Sequence, residues 1–363
     1  MTLTDGTLER TRNAPAGPAP RVTIAIPVYN GANFLEQAAS SVLRQTFADL
    51  ELIIVDNAST DETSDICQRL AEQDKRVRYY RNERNLGAAP NYNRGLELAR
   101  GTYFKWLAHD DWLSDNYLEA CVEALDRYPE VVNAHGIPRE MIDPETPFID
   151  SEFTVPLWGV AGPIERHAMA MRMPRTCHAI FGLMRRNELE MTTLHKPYYS
   201  SDCNLVAEIA LLGRFLLVPE AIFYNRRHAG QSMAQSRNAA YLNSWQDSSN
   251  TKRHSAMFTN RLKHAWEIWG RYPQIASRYE LIKANARFMF APRRMAHYFD
   301  EMLWDALPRV YAPVRGLLRK AWRSIRPVGP YMASFEEKSA ETPPKPEAAQ
   351  GSASGPVKEH PYK

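Results

Sequence analysis

Two adjacent carboxylates, Asp110 and Asp111, follow the aromatic run Tyr103-Phe104-Lys105-Trp106. Unpaired charge is costly to bury, so such a pair at a loop mouth suits a hard divalent cation that also takes oxygen ligands from substrate phosphates. The competing reading is a plain turn leading to a helix capped at Ser114. Asp56 closes the β-branched run Leu50-Glu51-Leu52-Ile53-Ile54-Val55, placed to accept a hydrogen bond from a ribose hydroxyl or a base N–H. The glycine-rich phosphate loop of dinucleotide folds is missing; Pro27-Val28-Tyr29-Asn30-Gly31 stands in its position, which argues against a nicotinamide dinucleotide. Asn85-Leu86-Gly87, followed by Asn91, offers amide donors to a nucleotide or, taken alone, a turn. Asp202 immediately precedes an apolar helical run, as a helix cap or a functional acid. His228, beside Arg226 and Arg227, reads as facing an anion or a metal more than as a core imidazole.

The elements that must position these residues alternate along the chain. Val22–Ile26 reads as a strand, 34–43 as a helix with apolar residues at three- and four-residue steps, Leu50–Val55 as a strand and 60–73 as a helix. Val77–Tyr80, 88–99, Thr102–Trp106, 114–127 and Val131–Ala134 repeat the unit. The pattern predicts an α/β fold with a mainly parallel Rossmann-like sheet flanked by helices. In such sheets ligands gather at the carboxyl ends of the strands, where the strand order reverses. Residues 137–175 are Pro-rich and read as an irregular excursion over a cleft. An apolar helix follows near 203–213, then a strand Phe215–Val218 ended by a Pro219-Glu220 turn. Beyond 235 the pattern is helical to about 325, broken at Pro273, Pro292, Pro308 and Pro313.

Composition narrows the class. At 363 residues, 44% hydrophobic and 24% charged, the chain has ordinary globular make-up, and a net charge of +3 gives no footing for nucleic acid. Its four cysteines are far apart with no CxxC pair, so neither a disulfide framework nor a thiolate zinc site is expected and a reducing cytosol is the default. No secretion pattern and no membrane-length apolar stretch is read, and the expected setting is cytoplasmic.

Taken together, the segments Ile24–Gly31, Glu51–Asp61, Asn85–Gly87, Tyr103–Asp111, Ser201-Asp202 and Arg226–Ser232 resemble the family-two glycosyltransferases with a GT-A fold. The resemblance covers residues 22–232. It implies a GT-A catalytic domain over 21–235, divided into a nucleotide-binding half (21–135) and an acceptor-side half (136–235). A lead-in over 1–20, a helical extension over 236–330 and a disordered tail over 331–363 complete the expected layout. By the resemblance, Pro27, Tyr29, Asn30, Asp56, Asp61 and Asn85 would line the nucleotide pocket and Asp110 would face ribose and donor sugar. Asp111 and His228 would hold Mn2+ or Mg2+ at the diphosphate, and Asp202 would be the general base. Ala108 stands where many relatives carry the first aspartate of an Asp-x-Asp triplet, and Ser201 where Glu is common.

The expected reaction is inverting transfer of a sugar from a nucleotide-diphosphate donor to an acceptor hydroxyl, in surface polysaccharide or glycoconjugate synthesis, on a glycan or lipid-linked acceptor. Two alternatives stay open: a catalytically silent GT-A module that binds nucleotide or glycan, and a nucleotidyltransferase. The stretch 309–326 carries six basic residues and no acid, with Leu317, Leu318, Trp322 and Ile325 interleaved. It is read either as a peripheral contact with an anionic membrane surface or as a helix packed on the domain with a solvated basic face.

Overall fold

The computed structural model describes residues 17–314, apart from 142–148, 151–156, 158, 173–176, 199, 229–238, 250–256 and most positions beyond 292. Most of the expected lead-in, the whole of the expected tail and, save Tyr311 and Val314, the basic stretch 309–326 lie outside the described residues. The chain opens with β1 (Val22–Val28), α1 (Leu35–Leu43), β2 (Leu50–Asp56), α2 (Thr63–Gln73), β3 (Val77–Arg81), α3 (Ala88–Glu97) and β4 (Tyr103–Trp106). These strands pair in parallel in the order β3-β2-β1-β4, and the order reverses between β1 and β4. Residues after Val28, Asp56 and Trp106 therefore meet at one edge, the crevice expected of a doubly wound sheet.

β1 and β2 are buried along their whole length because helices cover both faces. Strand alternation sorts the side chains. Val22, Ile24, Ile26 and Val28 face α1 and α2 through Leu35, Ala39, Val42, Ile66 and Leu70. Ala25, Phe104 and Trp106 face the opposite layer, which holds Leu96 of α3.

The second half of the sheet is mixed rather than parallel. It comprises β5 (Trp112–Leu113), β6 (Val131–Met141), β7 (Ile149–Asp150), β8 (Leu183–Arg185) and β9 (Arg214–Arg226), with α4 (Tyr117–Arg127) between β5 and β6. β8 runs antiparallel to β4 and β6, β9 parallel to β6, and β5 antiparallel to β9. The layer beneath is α5 (Pro163–Met171), the short α6 (Arg186–Glu190) and the largely buried α7 (Ser201–Leu212). Then follow α8 (Ala239–Gln246), α9 (Met257–Ile268) and α10 (Arg278–Met289), the last opened by a Ser277/Glu280 capping box.

Three expectations are revised. Residues 137–175 contain the end of β6, β7 and α5, whose helical pattern is masked because its inward face carries Arg166 and His167. Those polar groups bond to carbonyls of α7 and its C-terminal turn: Arg166 Nε donates to Ala210 O at 2.9 Å, and His167 Nδ1 meets Ala207 O at 2.7 Å. Pro219-Glu220 does not end a strand. β9 continues through it, with Gly136 opposite Val218 and the next residue, Ile137, opposite Ile222. The surplus residues form a bulge, and a Cβ on Gly136 would lie 2.4 Å from Ala221 O. Ser114 is not a helix cap; its hydroxyl accepts from Ile222 N–H at 3.0 Å and ties β5 to β9.

Glu51, 3% exposed, binds the parallel half together. It accepts from Thr23 Oγ1 at 2.7 Å, Arg78 at 2.9 Å, and the Arg100 N–H and guanidinium at 3.0 Å each. Removing one partner of a buried ion pair leaves the other charge stranded. Glu51→Ala is expected to lower unfolding free energy by about 3–5 kcal/mol in urea titration; a loss below about 1 kcal/mol would mean that Arg78 and Arg100 find other partners.

Candidate active site

The loops after β1 and β2 form one body. Asn30 N–H donates to Ser59 Oγ at 2.9 Å, and its own Oδ1 accepts from Thr60 N–H at 2.8 Å. Gly31 N–H donates to Thr63 Oγ1 at 2.9 Å and Ala32 N–H to Asp61 at 3.1 Å. Asn30 and Ala58 hold φ at 51° and 60°, left-handed conformations seldom adopted by residues with a side chain. Behind them, Asn57 Oδ1 accepts from Leu86 N–H at 2.9 Å and from Asn82, while its amide donates to Asn85 and the Gly87 carbonyl. This shapes 85–87 as a third loop at the same edge. Gly87 holds φ at 91°, and a Cβ there would strike the Asp247 backbone, so the end of α8 rests on that loop.

A cavity of about 720 Å3 opens where these loops meet. Pro27, Tyr29, Asn30, Asn85, Asp110, Asp111, Asp202 and His228, all read from sequence as site residues, line it. Asp56 and Asp61 do not. Asp56 is fully buried; it is ion-paired with Arg81 and accepts from Tyr79 Oη at 3.0 Å and Ser59 N–H at 2.8 Å. Arg81 extends the pair to the Ser59 carbonyl at 2.7 Å. Asp56, expected to contact a ribose or base, is engaged by these internal partners. Asp61 likewise turns to Thr63 and Ala32, holding the loop from outside.

The paired carboxylates differ in surroundings. Asp111 is 2% exposed and takes Arg226 N–H at 3.0 Å and the Asn225 amide at 3.2 Å to each oxygen. Burial, then the neighbouring Asp110 charge, raises its carboxyl well above the usual range, against the pull of those donors. Asp110 meets His228 Nε2 at 3.0 Å, and its carbonyl accepts from Arg226 Nε at 3.0 Å. The Arg226 guanidinium lies over the rings of Phe34 and Trp112, 4.3 and 4.7 Å from their centroids, fixing the end of β9 against α1 and β5. Among the described residues no three His, Cys, Asp or Glu side chains form a metal cage. Asp110, Asp111 and His228 nevertheless line one cavity, and their oxygen and nitrogen donors are of the kind a divalent cation shares with phosphates and water.

Asp202 lies in the first turn of α7 and does not cap it. The N-cap is Ser200, at φ 68°, and it makes no side-chain capping bond. Desolvation raises the Asp202 carboxyl, with Cys203 N–H acting against the rise. Tyr92 links the two ends of the site. Burial, then Asp110, Asp111 and Asp202 in that order, raises its phenol, so one ring on α3 is within electrostatic reach of all three acids. Tyr92, Asn57 and His195 were not read as site residues, nor was the α8 wall of Tyr241, Leu242 and Trp245. Tyr92 sits one residue after Asn91, and that adjacency is the only signal the sequence carries.

Comparison with known proteins agrees with this architecture. The profile described as glycosyl transferase family 2 matches residues 23–188. An uncharacterized glycosyltransferase of Haemophilus influenzae is 27% identical over 219 residues, 59% of this chain and 67% of that protein. An uncharacterized glycosyltransferase of Rickettsia typhi is 39% identical over 109 residues, 30% of this chain, and the chain spans only 33% of its length. The crystal structure of S. aureus TarS 1-349 in complex with UDP-GlcNAc is similar in backbone at a TM-score of 0.53 and 17% identity, over 74% of this chain and 71% of that one. The profile match runs from β1 through β8, the stretch that builds the crevice; over it the chain is similar to glycosyl transferase family 2, and the fold is that of a GT-A glycosyltransferase.

Proposed function

We propose that this glycosyltransferase transfers a sugar from a nucleoside-diphosphate donor to an acceptor hydroxyl by a single inverting, metal-dependent displacement. The observation that carries the reading is that Asp110, Asp111 and Asp202 line one cavity. Pro27, Tyr29, Asn30 and Asn85 then hold the nucleotide, with Asp56 and Asp61 stabilising the loops that carry them. Asp110, Asp111 and His228 are the groups to hold Mn2+ or Mg2+, which would neutralise the charge growing on the leaving diphosphate. Asp202 takes the proton of the acceptor hydroxyl as that oxygen attacks the anomeric carbon, and its raised basicity suits the task. No group is needed to protonate the departing side. The complex of TarS with UDP-GlcNAc supports a nucleotide-sugar donor here.

The acceptor is proposed to be a glycan or a lipid-linked glycan of surface polysaccharide or glycoconjugate synthesis, met in the cytoplasm, where the four free thiols are at home. No helix among the described residues is long and apolar enough to cross a membrane. Peripheral contact through 309–326 is tested by co-sedimentation with anionic liposomes; association lost on deleting 309–326 supports it, and no association of the full chain ends it.

Calorimetry with UDP, GDP and their sugars, with and without Mn2+ or Mg2+, tests the donor site. Cation-dependent binding of one nucleotide is expected, weakened about tenfold or more in Asp111→Ala, the scale of one lost charge-assisted contact. Binding of none by the folded protein would leave a silent GT-A module as the reading. NMR of the product should show an inverted anomeric centre; retention would exclude the mechanism.

The pH dependence follows from Asp202. A base acts deprotonated, so activity is lost as pH falls through its pKa, and a raised pKa moves that limb to higher pH. The acid limb of kcat/KM is expected above the ordinary aspartate value of about 3.9. Asp202→Asn is expected to lower kcat by about 10²–10⁴; near-normal turnover in this variant would remove Asp202 from the base role.

A further inference from the structure

The segment between α6 and α7 reaches the cavity at His195, a residue for which the mechanism above has no task. The chain holds it tightly. Asn93 on α3 brackets its backbone, accepting from His195 N–H at 3.0 Å and donating its amide to the His195 carbonyl at 2.9 Å. The preceding residue, Leu194, is held at φ 57°, a conformation a leucine keeps only where its surroundings impose it. The imidazole is wedged edge-on between Tyr92 and Trp106, at ring-centroid distances of 5.1 and 4.8 Å. Trp106 is itself pinned to α3, its indole N–H donating to the Tyr92 carbonyl at 2.8 Å.

His195 is 8% exposed, and burial pushes its imidazole down to about 3, so the ring is neutral at any working pH. Its Nε2 has no hydrogen-bond partner among the described residues. A buried polar nitrogen left unpaired is destabilising, and a partner from a ligand would relieve that cost. The chemistry of the ring narrows the partner. A neutral imidazole offers one donor and one acceptor, which matches a hydroxyl; a phosphate would call for a cation. The position narrows it further, because the ring, lying against Tyr92, lines the same cavity as Asp110, Asp111 and Asp202. A sugar undergoing transfer must lie between those acids.

We propose that His195 is a specificity-determining residue that hydrogen-bonds a hydroxyl of a sugar held between the Asp110–Asp111 pair and Asp202, an assignment that rests on the glycosyltransferase reading above. The hydroxyl belongs to the donor sugar or to the acceptor, and the same set of variants distinguishes them.

The test uses the full chain with UDP-glucose, UDP-N-acetylglucosamine, UDP-galactose and GDP-mannose and their monodeoxy forms. Release of nucleoside diphosphate is followed without acceptor, then with methyl glycosides and their monodeoxy forms as acceptors. The wild type is expected to prefer one parent sugar over one of its deoxy forms by about tenfold in kcat/KM, the scale of one hydrogen bond. His195→Phe should reduce that preference to within about threefold while leaving UDP or GDP affinity unchanged, and His195→Gln should restore part of it. His195→Met repeats the comparison with a flexible apolar side chain should phenylalanine overpack the cage. A preference lost in the donor series assigns the hydroxyl to the donor, and one lost only in the methyl glycoside series assigns it to the acceptor. Equal losses for parent and deoxy sugars in both series would overturn the proposal and leave His195 as packing. A wild type that binds no nucleotide and releases none would instead defeat the glycosyltransferase reading, and this assignment with it.

Discussion

Asp111 cannot be buried beside a second carboxylate unless donors come to it. They come from 114 and 115 residues further along, as the Asn225 amide and the Arg226 N–H. Much of the second half of the fold serves that meeting. β9 has to run past Val218 to the cavity, the bulge opposite Gly136 adjusts its pairing with β6 on the way, and β5 closes against its end. Arg226 then locks the strand tip between Phe34 and Trp112. A local need for charge compensation is thus met by a long-range contact, which joins the nucleotide-side sheet to the mixed sheet at the point where chemistry is expected.

The parallel half was legible in sequence because its signals are local. Val22–Ile26, Leu50–Val55 and Thr102–Trp106 are apolar runs bounded by turn residues, and the helices between them show plain three- and four-residue spacing. The strand ends follow from that alternation, and with them Pro27, Tyr29, Asn30, Asp110 and Asp111 of the cavity lining. The second half was less legible for physical reasons. α5 presents Arg166 and His167 inward, so its buried face does not look apolar. β5 and β8 are two and three residues long, too short for alternation to register, and β9 contains a proline at its bulge. Asp56 shows a different limit. Its place at the end of β2 was readable, but its engagement by Arg81 and Tyr79 depends on β3 lying alongside, a fact of pairing and not of spacing.

The site also draws on chain beyond the stretch matched by the family profile. That match ends at residue 188, before Asp202, His228 and α8, all of which contribute to the cavity wall. α8 reaches the wall by settling on Gly87, where any side chain would hold it off. The matched part of the fold accordingly presents the loops after β1, β2 and β4, and segments that the profile leaves aside add the rest of the lining, Asp202 and His228 among them.

The bulge in β9 has a consequence for how this chain can change over time. Phe215, Leu216 and Val218 before it are buried in the core, and Asn225 and Arg226 after it hold Asp111. The extra residues Pro219, Glu220 and Ala221 give the two parts different registers against β6, although Ala221 itself packs in the core. The two parts can therefore diverge under separate selective demands, the first answering to packing and the second to the acid it serves.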